Sequence, residues 1–387
     1  MIDLRPRRPW ETDEAAQFRD MVRRFLQAEA VPRDAAWRAQ KFVDRDFWLQ
    51  AGELGLLCPG IPDEFGGGGG GGGFALDAIV SEELSYAGIT SFQQLIHGGI
   101  VAPYILHYGT EDQRRRWLPK MGSGEMIGAI AMTEPGGGSD LQAVRTTARR
   151  EGGSYVLNGA KTFITNGIVA DLVIVAARTG PEPGARGLSL IVVETADLPG
   201  FRRGRNLAKI GMHGSDTAEL FFDEVRVPAE NRLGEVEGQG FVQMMQQLPQ
   251  ERLGVAVGAQ AMMERAVEIT VEHARTRTAF GKVLMELQNT RFTLADCLAK
   301  AQVSRAFVDR CIADHLAGRL TAADASMAKM WTTDRQCEVI DDCLQLHGGY
   351  GFMEEYPIAR MYADVRVQRI YGGANEIMKE IIARSLC

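Results

Sequence analysis

Apolar side chains recur every three or four residues from Glu11 to about Tyr108, as in Phe18, Val22, Phe25 and Leu26 and again in Phe47, Leu49 and Leu54. That period predicts helices with one face turned to a core. The pattern changes between about 127 and 235. Segments such as Ser154-Tyr155-Val156-Leu157, Leu172-Val173-Ile174-Val175 and Leu188-Ser189-Leu190-Ile191-Val192-Val193 are short, β-branched and strand-like. Asn158-Gly159 between two of them predicts a hairpin turn, and Phe221-Phe222 and Val225-Arg226-Val227-Pro228 extend the series. No long helical pattern separates these strands, which argues against a doubly wound parallel sheet and for a small antiparallel barrel or sandwich.

After Gly240 the three-to-four period returns over roughly 241–275, 288–317, 321–347 and from about 375, with Gly348-Gly349 and Pro357 as breaks. Four such helices predict a bundle. The expected fold is α+β, mainly α, in three domains: helical over 1–126, a β-domain over 127–236 and a helical bundle over 237–387. No internal repeat of 20–50 residues interrupts this order. Gly66 to Gly73 are eight consecutive glycines, a stretch that neither holds a helix nor packs a core, and they predict a flexible surface connection. They carry no phosphate-binding role, because Phe74 follows where such a loop needs Lys or Ser/Thr.

Composition narrows the partner. The chain has 387 residues, enough for two to three domains, with 43 Lys+Arg against 50 Asp+Glu and a formal charge of −7. A mildly acidic chain without Lys/Arg blocks has no footprint for nucleic acid, so the expected partner is a small molecule. Six cysteines without a CxxC pair fit a reducing compartment rather than a disulfide framework. The charged start, Met1 to Arg8, lacks the apolar core of a secretion signal, and no stretch reaches the ~18 apolar residues of a membrane span. The expected location is the cytoplasm of a bacterium, or the mitochondrial matrix if an import sequence has been removed.

Three segments carry candidate chemistry. Ala131-Met132-Thr133-Glu134-Pro135-Gly136-Gly137-Gly138-Ser139-Asp140 combines hydroxyls, carboxylates and a glycine run open to close ligand approach. With Gly159-Ala160-Lys161-Thr162-Phe163-Ile164-Thr165-Asn166 it can hydrogen-bond a polar heteroaromatic ring while Phe163 packs on its face. Arg277-Thr278-Ala279-Phe280-Gly281, followed by Gln288, places a cation and an aromatic near a helix end, a pyrophosphate candidate only where the fold supplies a nucleotide. The third is Gln345-Leu346-His347-Gly348-Gly349-Tyr350-Gly351 with Ile370-Tyr371-Gly372-Gly373-Ala374-Asn375-Glu376-Ile377. Cys343 and His347 are four apart on a helix, but without a second ligand pair they read as core and cap, and no metal is expected.

These motifs, in this order and spacing over almost the whole chain, resemble the acyl-CoA dehydrogenase family of flavoproteins. The resemblance implies FAD, a homotetramer, α,β-dehydrogenation of an acyl-CoA thioester and electron delivery to an electron-transferring flavoprotein. It also implies that Ile130, Met132, Thr133, Gly138, Ser139, Phe163, Ile164, Thr165, Arg277, Phe280, Gln288, Gln345, Leu346, His347, Gly348, Gly349, Ala374, Asn375 and Glu376 surround FAD. Arg277 and Gln288 are expected to reach a neighbouring subunit's cofactor. Substrate contacts are expected from Ser139, Val242, Pro249, Gln250, Glu251, Arg252, Gly372 and Gly373.

Most of the family carries its catalytic glutamate where this chain has Gly372, whose backbone N–H remains available to the thioester oxygen. Leu248-Pro249-Gln250-Glu251-Arg252-Leu253 resembles the long-chain branch, whose base lies on this helix, and the resemblance makes Glu251 the base. A plain surface reading of Glu251 is an exposed first-turn carboxylate beside a solvated Arg252; Glu264 and Glu268 are weaker rivals. Phe163, Ala374 and Val242 depart from the residues commoner at those positions, tryptophan, threonine and tyrosine. The isovaleryl-CoA branch also moves its base to this helix, so a short branched-chain enzyme is the alternative, and a non-catalytic acyl-CoA or flavin-binding protein a second. Gly98-Gly99 are expected to open space for a long acyl tail.

Overall fold

The computed structural model describes residues 5–68 and 73–386. The N-terminal part holds α1 (Asp13–Phe25), α2 (Asp34–Gln40), α3 (Arg45–Glu53), α4 (Phe74–Ala87), α5 (Ala102–Tyr108) and α6 (Glu111–Gly122). α1 begins where Thr12 accepts a hydrogen bond from the Ala15 N–H, with Asp13 and Glu14 in the first turn and Arg23 and Arg24 in the last. In α3 the buried face is Phe47, Trp48 and Ala51, while Leu49 points out to solvent, as does Leu54 just beyond the helix. The apolar spacing therefore locates this helix correctly but not its face. Two wide π-helical turns, Leu26–Ala30 and Leu95–Val101, interrupt the regular period.

Strands β1 (Gly128–Ala131), β2 (Thr147–Glu151), β3 (Ser154–Thr165), β4 (Leu172–Arg178), β5 (Leu188–Glu194), β6 (Phe201–Asn206) and β7 (Thr217–Pro228) form one sheet. Its order is β1-β4-β2-β3-β7-β6, with β5 paired to β4. Four pairings run antiparallel, but β1 and β2 both run parallel to β4, which departs from the purely antiparallel expectation. The cause is the long excursion over 132–146, which joins β1 to β2 without a hairpin. β4 is buried on both faces. Leu172, Ile174 and Ala176 pack into the core shared with the helices, and Val173, Val175 and Ala177 into the core on the opposite side. Double burial explains an unbroken apolar run in place of alternation.

Asn158-Gly159, predicted as a hairpin turn, lies inside β3 at a shift of register against β7. Asn158 Oδ1 accepts from the Glu224 N–H at 3.0 Å, so the side chain substitutes for a ladder bond across the irregularity. The actual turn is Gly152-Gly153, between β2 and β3. The glycine run differs from its prediction too. Gly66 ends a short 3-10 turn at φ +78°, and a Cβ on Gly67 would sit 2.0 Å from the Ile61 carbonyl oxygen, so these two pack tightly. Positions 69–72 of the run lie outside the described residues.

The C-terminal part holds α7 (Gly240–Thr276), a hairpin of β8 (Thr278–Ala279) and β9 (Lys282–Val283), α8 (Gln288–Leu316), α9 (Ala322–His347), α10 (Pro357–Val365) and α11 (Asn375–Arg384). Pro357, predicted as a break, opens α10 at its first position, where a missing N–H costs nothing. Cys343 and His347 turn inward from α9: Cys343 meets Cys297 of α8, and His347 Nε2 lies 3.2 Å from the Thr270 hydroxyl of α7. Among the described residues no helix is long and apolar enough to cross a membrane.

Candidate active site

Glu251 lies in the first third of the 37-residue α7 and is buried. The surface reading of this carboxylate therefore fails. Pro249 is likewise an interior helix residue rather than a first-turn one. The Tyr104 hydroxyl of α5 donates to Glu251 Oε1 at 2.9 Å. Burial pushes the Glu251 carboxyl up to about 7, against the opposing pull of the Tyr104 hydrogen bond and the Arg252 charge. The rivals are engaged elsewhere: Glu264 is gripped by both arms of Arg305, and Glu268 by Arg5 and Arg265.

Two backbone stretches close around Glu251. Arg252 Nε points at the Gly372 carbonyl oxygen, 3.4 Å away, and a Cβ on Gly372 would meet Val255, one turn beyond Glu251, at 3.8 Å. Gly372 and Gly373 have φ +65° and +94°, the left-handed region that L side chains adopt at a cost. Lys329 of α9, fully buried, holds this loop by donating to the Gly373 carbonyl at 2.7 Å and to Asn375 Oδ1 at 2.8 Å. On the other side Gln250 Nε2 donates to the Gly99 carbonyl at 3.1 Å. Gly98 does not open space: a Cβ there would sit 1.7 Å from the Leu57 carbonyl oxygen, so it serves close packing, and Gly99 accommodates the Leu95 side chain.

A second group forms on the β-domain. Lys161 is buried and its Nζ donates to the Met132 carbonyl at 3.0 Å and to Glu134 Oε1 at 2.9 Å, while the Thr162 N–H donates to the Thr133 carbonyl at 3.0 Å. Glu134 also accepts the Arg145 and Thr146 N–H groups, both at 2.8 Å, so it braces the whole turn. Burial holds Lys161 down at about 8, with Glu134 pulling it back up. Phe163 projects from a register shift in β3 at φ +59° and is 68% exposed. An exposed aromatic held in a strained backbone is a mark of a ligand surface.

A third group lines a cleft of about 560 Å³ in the bundle: His273, Arg277, Leu284, Gln345 to Tyr350 and Met353. His273 and His347 stack at 4.1 Å, and His273 Nε2 and His347 Nδ1 are buried without a partner. Side chains added at Gly348 or Gly349 would meet nothing within 4 Å, so both backbones face open space.

Sequence models of the acyl-CoA dehydrogenase N-terminal, middle and C-terminal domains match residues 12–125, 129–225 and 238–387. The chain is 50% identical over 371 residues to the pig (Sus scrofa) long-chain specific acyl-CoA dehydrogenase, mitochondrial, covering 95% of this chain and 85% of that one. The chain belongs to the acyl-CoA dehydrogenase family. It is an oxidoreductase family. An acyl-CoA dehydrogenase structure from Geobacillus kaustophilus superposes with a TM-score of 0.95 at 48% identity, covering 98% of this chain and 100% of that one. A glutaryl-CoA dehydrogenase from Mycobacterium smegmatis, in complex with FADH2, superposes at 0.90 with 27% identity, covering 97% and 95%.

Within one acyl-CoA dehydrogenase chain, then, the residues fall into three separate groups. Glu251, Arg252, Gly372 and Gly373 come together; Met132, Thr133 and the 161–165 segment come together; Arg277 joins Gln345 to Gly349. Ser139 and Gly138 are exposed on the 132–146 excursion, and Val242 is half-exposed at the start of α7. Phe280 is 95% exposed at the tip of the β8–β9 hairpin, and Gln288 is exposed at the start of α8. Tyr104 and Lys329 escape a reading by motif, and Lys161 lies inside the Gly159–Asn166 motif without a role of its own there. A signal was present for Lys329, a cation inside the apolar stretch Met327-Ala328-Lys329-Met330-Trp331, whereas Tyr104 is indistinguishable in sequence from an ordinary core aromatic.

Ala374 is the N-cap of α11 and offers no side-chain hydrogen bond to it. Ala374→Thr is expected to raise the melting temperature, since a hydroxyl cap contributes about 1 kcal/mol. An unchanged melt would mean that the first-turn N–H groups are already satisfied.

Proposed function

We propose that this acyl-CoA dehydrogenase family member oxidises long-chain acyl-CoA thioesters to trans-2-enoyl-CoA, with FAD as cofactor and Glu251 as the base. The observation that carries the reading is the buried carboxylate beside the left-handed Gly372-Gly373 loop. The 50% identity to the pig long-chain enzyme supports the chain-length class.

The residues fit FAD. An exposed Phe163 offers a face for a flat ring, the open glycine backbones at 348 and 349 admit close approach, and the orphaned nitrogens of His273 and His347 await polar partners. Met132, Thr133, Ser139 and Phe163 to Thr165 would hold the flavin end. Phe280 and Gln345 to Gly349 would hold the nucleotide end, Arg277 and Gln288 would reach the cofactor of a neighbouring subunit, and the family resemblance implies a homotetramer as the working unit. When bound, FAD supplies the acceptor for the β-hydrogen and its electron pair, and an electron-transferring flavoprotein then removes the electrons.

The chain's own part is acid–base and electrostatic. The α-hydrogen of a thioester is weakly acidic, so its removal needs a carboxylate held against it and a donor for the charge that gathers on the thioester oxygen. Glu251 takes the proton. The Gly372 N–H meets the oxygen, and a glycine there leaves room around the α-carbon. Burial raises the affinity of Glu251 for the proton without holding it protonated above neutral pH. The proposed site of action is the bacterial cytoplasm, or the mitochondrial matrix after removal of an import sequence; the pig relative is named as a mitochondrial protein.

Anaerobic mixing of the FAD-loaded protein with palmitoyl-CoA and with isovaleryl-CoA tests the reading. Loss of flavin colour with palmitoyl-CoA is expected. Bleaching by isovaleryl-CoA alone would move the enzyme to the short branched-chain class, and bleaching by neither would leave an acyl-CoA-binding protein.

A further inference from the structure

Resting on Glu251 as the base, we propose that Tyr104 is a positioning residue whose hydroxyl orients the Glu251 carboxylate and favours its ionised form. Both side chains are buried, and the single hydroxyl proton of Tyr104 is directed at Glu251 Oε1 over 2.9 Å. An ionised carboxylate only accepts hydrogen bonds, and one buried away from water is costly unless a donor meets it. Tyr104 is that donor. No described hydrogen bond reaches Glu251 Oε2, so Oε2 is the oxygen left free to take the α-proton while Oε1 stays anchored.

The surrounding groups are committed elsewhere. On α7, Arg252 directs Nε at the Gly372 carbonyl and Nη1 at the Ser326 hydroxyl, both at 3.4 Å. On α5, the single proton of the Tyr108 hydroxyl is directed at two acceptors, Gln246 Oε1 at 2.9 Å and the Gln243 carbonyl at 3.1 Å, and His107 pairs with Gln247. Lys329 of α9 is bound to Gly373 and Asn375. Burial and the Glu251 charge both push the Tyr104 phenol well up, so it remains a neutral donor through the working pH range.

The backbone that aims Tyr104 is unusual. Tyr104 is the third residue of α5, which continues directly from the π-helical turn Leu95–Val101, whose i→i+5 hydrogen bonds are wider than those of a regular helix. Gly98 permits the turn to press on the Leu57 carbonyl, and the Gly99 carbonyl accepts from Gln250, the residue before Glu251. The wide turn is thus tied to the residue before the base through the Gly99 carbonyl.

Tyr104→Phe keeps the ring and deletes only the hydroxyl. In the FAD-loaded enzyme, kcat/KM for palmitoyl-CoA is measured from pH 5.5 to 9, and the melting temperature over the same range without substrate. The acidic limb is expected to move up by one to two pH units, as about the worth of one hydrogen bond to a charged group. Activity at pH 6 would fall at least tenfold and recover towards pH 9, with KM little changed, and the pH at which the fold loses stability through Glu251 ionisation would move up in step. An unmoved limb in either measurement, with or without a general loss of stability, makes Tyr104 a packing residue only and overturns the proposal. Glu251→Gln separates the two readings: if that variant turns over like the wild type, the base assignment itself fails, whereas a dead Glu251→Gln with an unshifted Tyr104→Phe fails the positioning role alone.

Discussion

Glu251→Gln is expected to bind palmitoyl-CoA and leave the flavin colour intact under anaerobic conditions. Glutamine keeps the shape and can still accept from Tyr104, but it cannot take a proton, and general-base catalysis is worth about 10²–10⁴-fold in rate. Wild-type kcat/KM should rise with pH through about 7, the pH at which the buried carboxyl ionises. The same substitution carries a stability signature of opposite sense. The folded-state affinity of Glu251 for its proton lies above the ordinary carboxylate value of 4.5, so the native state binds that proton more tightly than the unfolded chain. Stability from this group is fully present below pH 4.5, declines as pH rises, and is lost above about 7. Glu251→Gln removes the penalty of holding a buried charge. It should therefore melt higher than wild type at pH 8, by up to about 3 kcal/mol, and no higher at pH 4. A variant that is inactive yet no more stable at pH 8 would mean that the carboxylate is solvated in the working enzyme.

Arg305→Leu is expected to cost the fold more than any substitution at the active site. Arg305 of α8 forks onto Glu264 of α7, Nε to Oε1 and Nη2 to Oε2, both at 2.9 Å, and reaches Glu82 of α4 at 2.5 Å. Arg8 and Arg19 complete the cluster: Arg19 meets Glu11, Glu82 and Glu83, and the Tyr86 hydroxyl donates to Glu264. All of these side chains are buried. Burial pushes Glu82 upward, but Arg305, Arg19 and Arg8 together hold it down at about 2, so it stays charged at every working pH. Removing Arg305 leaves this buried cluster one positive charge short, with Glu264 held by Arg8 and Tyr86 and Glu82 by Arg19 and Arg8. Breaking one partner of a buried pair costs about 3–5 kcal/mol, on the order of 10 °C in the melt. The double variant Arg305→Leu, Glu264→Leu should recover part of that loss, because it removes the uncompensated charge along with its partner. A single variant melting within a degree of wild type would show that water enters the cluster and solvates it.

The element plan was readable because it rests on local periodicity. The helices predicted over 241–275, 288–317 and 321–347 fall at Gly240–Thr276, Gln288–Leu316 and Ala322–His347. The departures arise where a distant partner overrides a local signal. Asn158-Gly159 reads as a hairpin, yet β7 pairs across it and Glu224 engages the asparagine side chain. Leu49 fits an apolar stripe, yet the core lies on the Phe47–Trp48–Ala51 side. Gly98 reads as open space, yet the Leu57 carbonyl presses against it.

By itself, the sequence determined the helix–sheet–helix order and the family, and it pointed to Glu251 as the proposed base where Gly372 has no carboxylate, since each lies in the identity and spacing of residues. Tertiary structure alone decided that Glu251 is buried, that Tyr104 is its hydrogen-bond donor and that Lys329 grips the Gly373 carbonyl. These pairs are 147 and 44 residues apart in the chain for Tyr104–Glu251 and Lys329–Gly373. A proton affinity is set by what surrounds the group in space, through desolvation and neighbouring charge. Sequence spacing holds no record of such surroundings until the chain has packed.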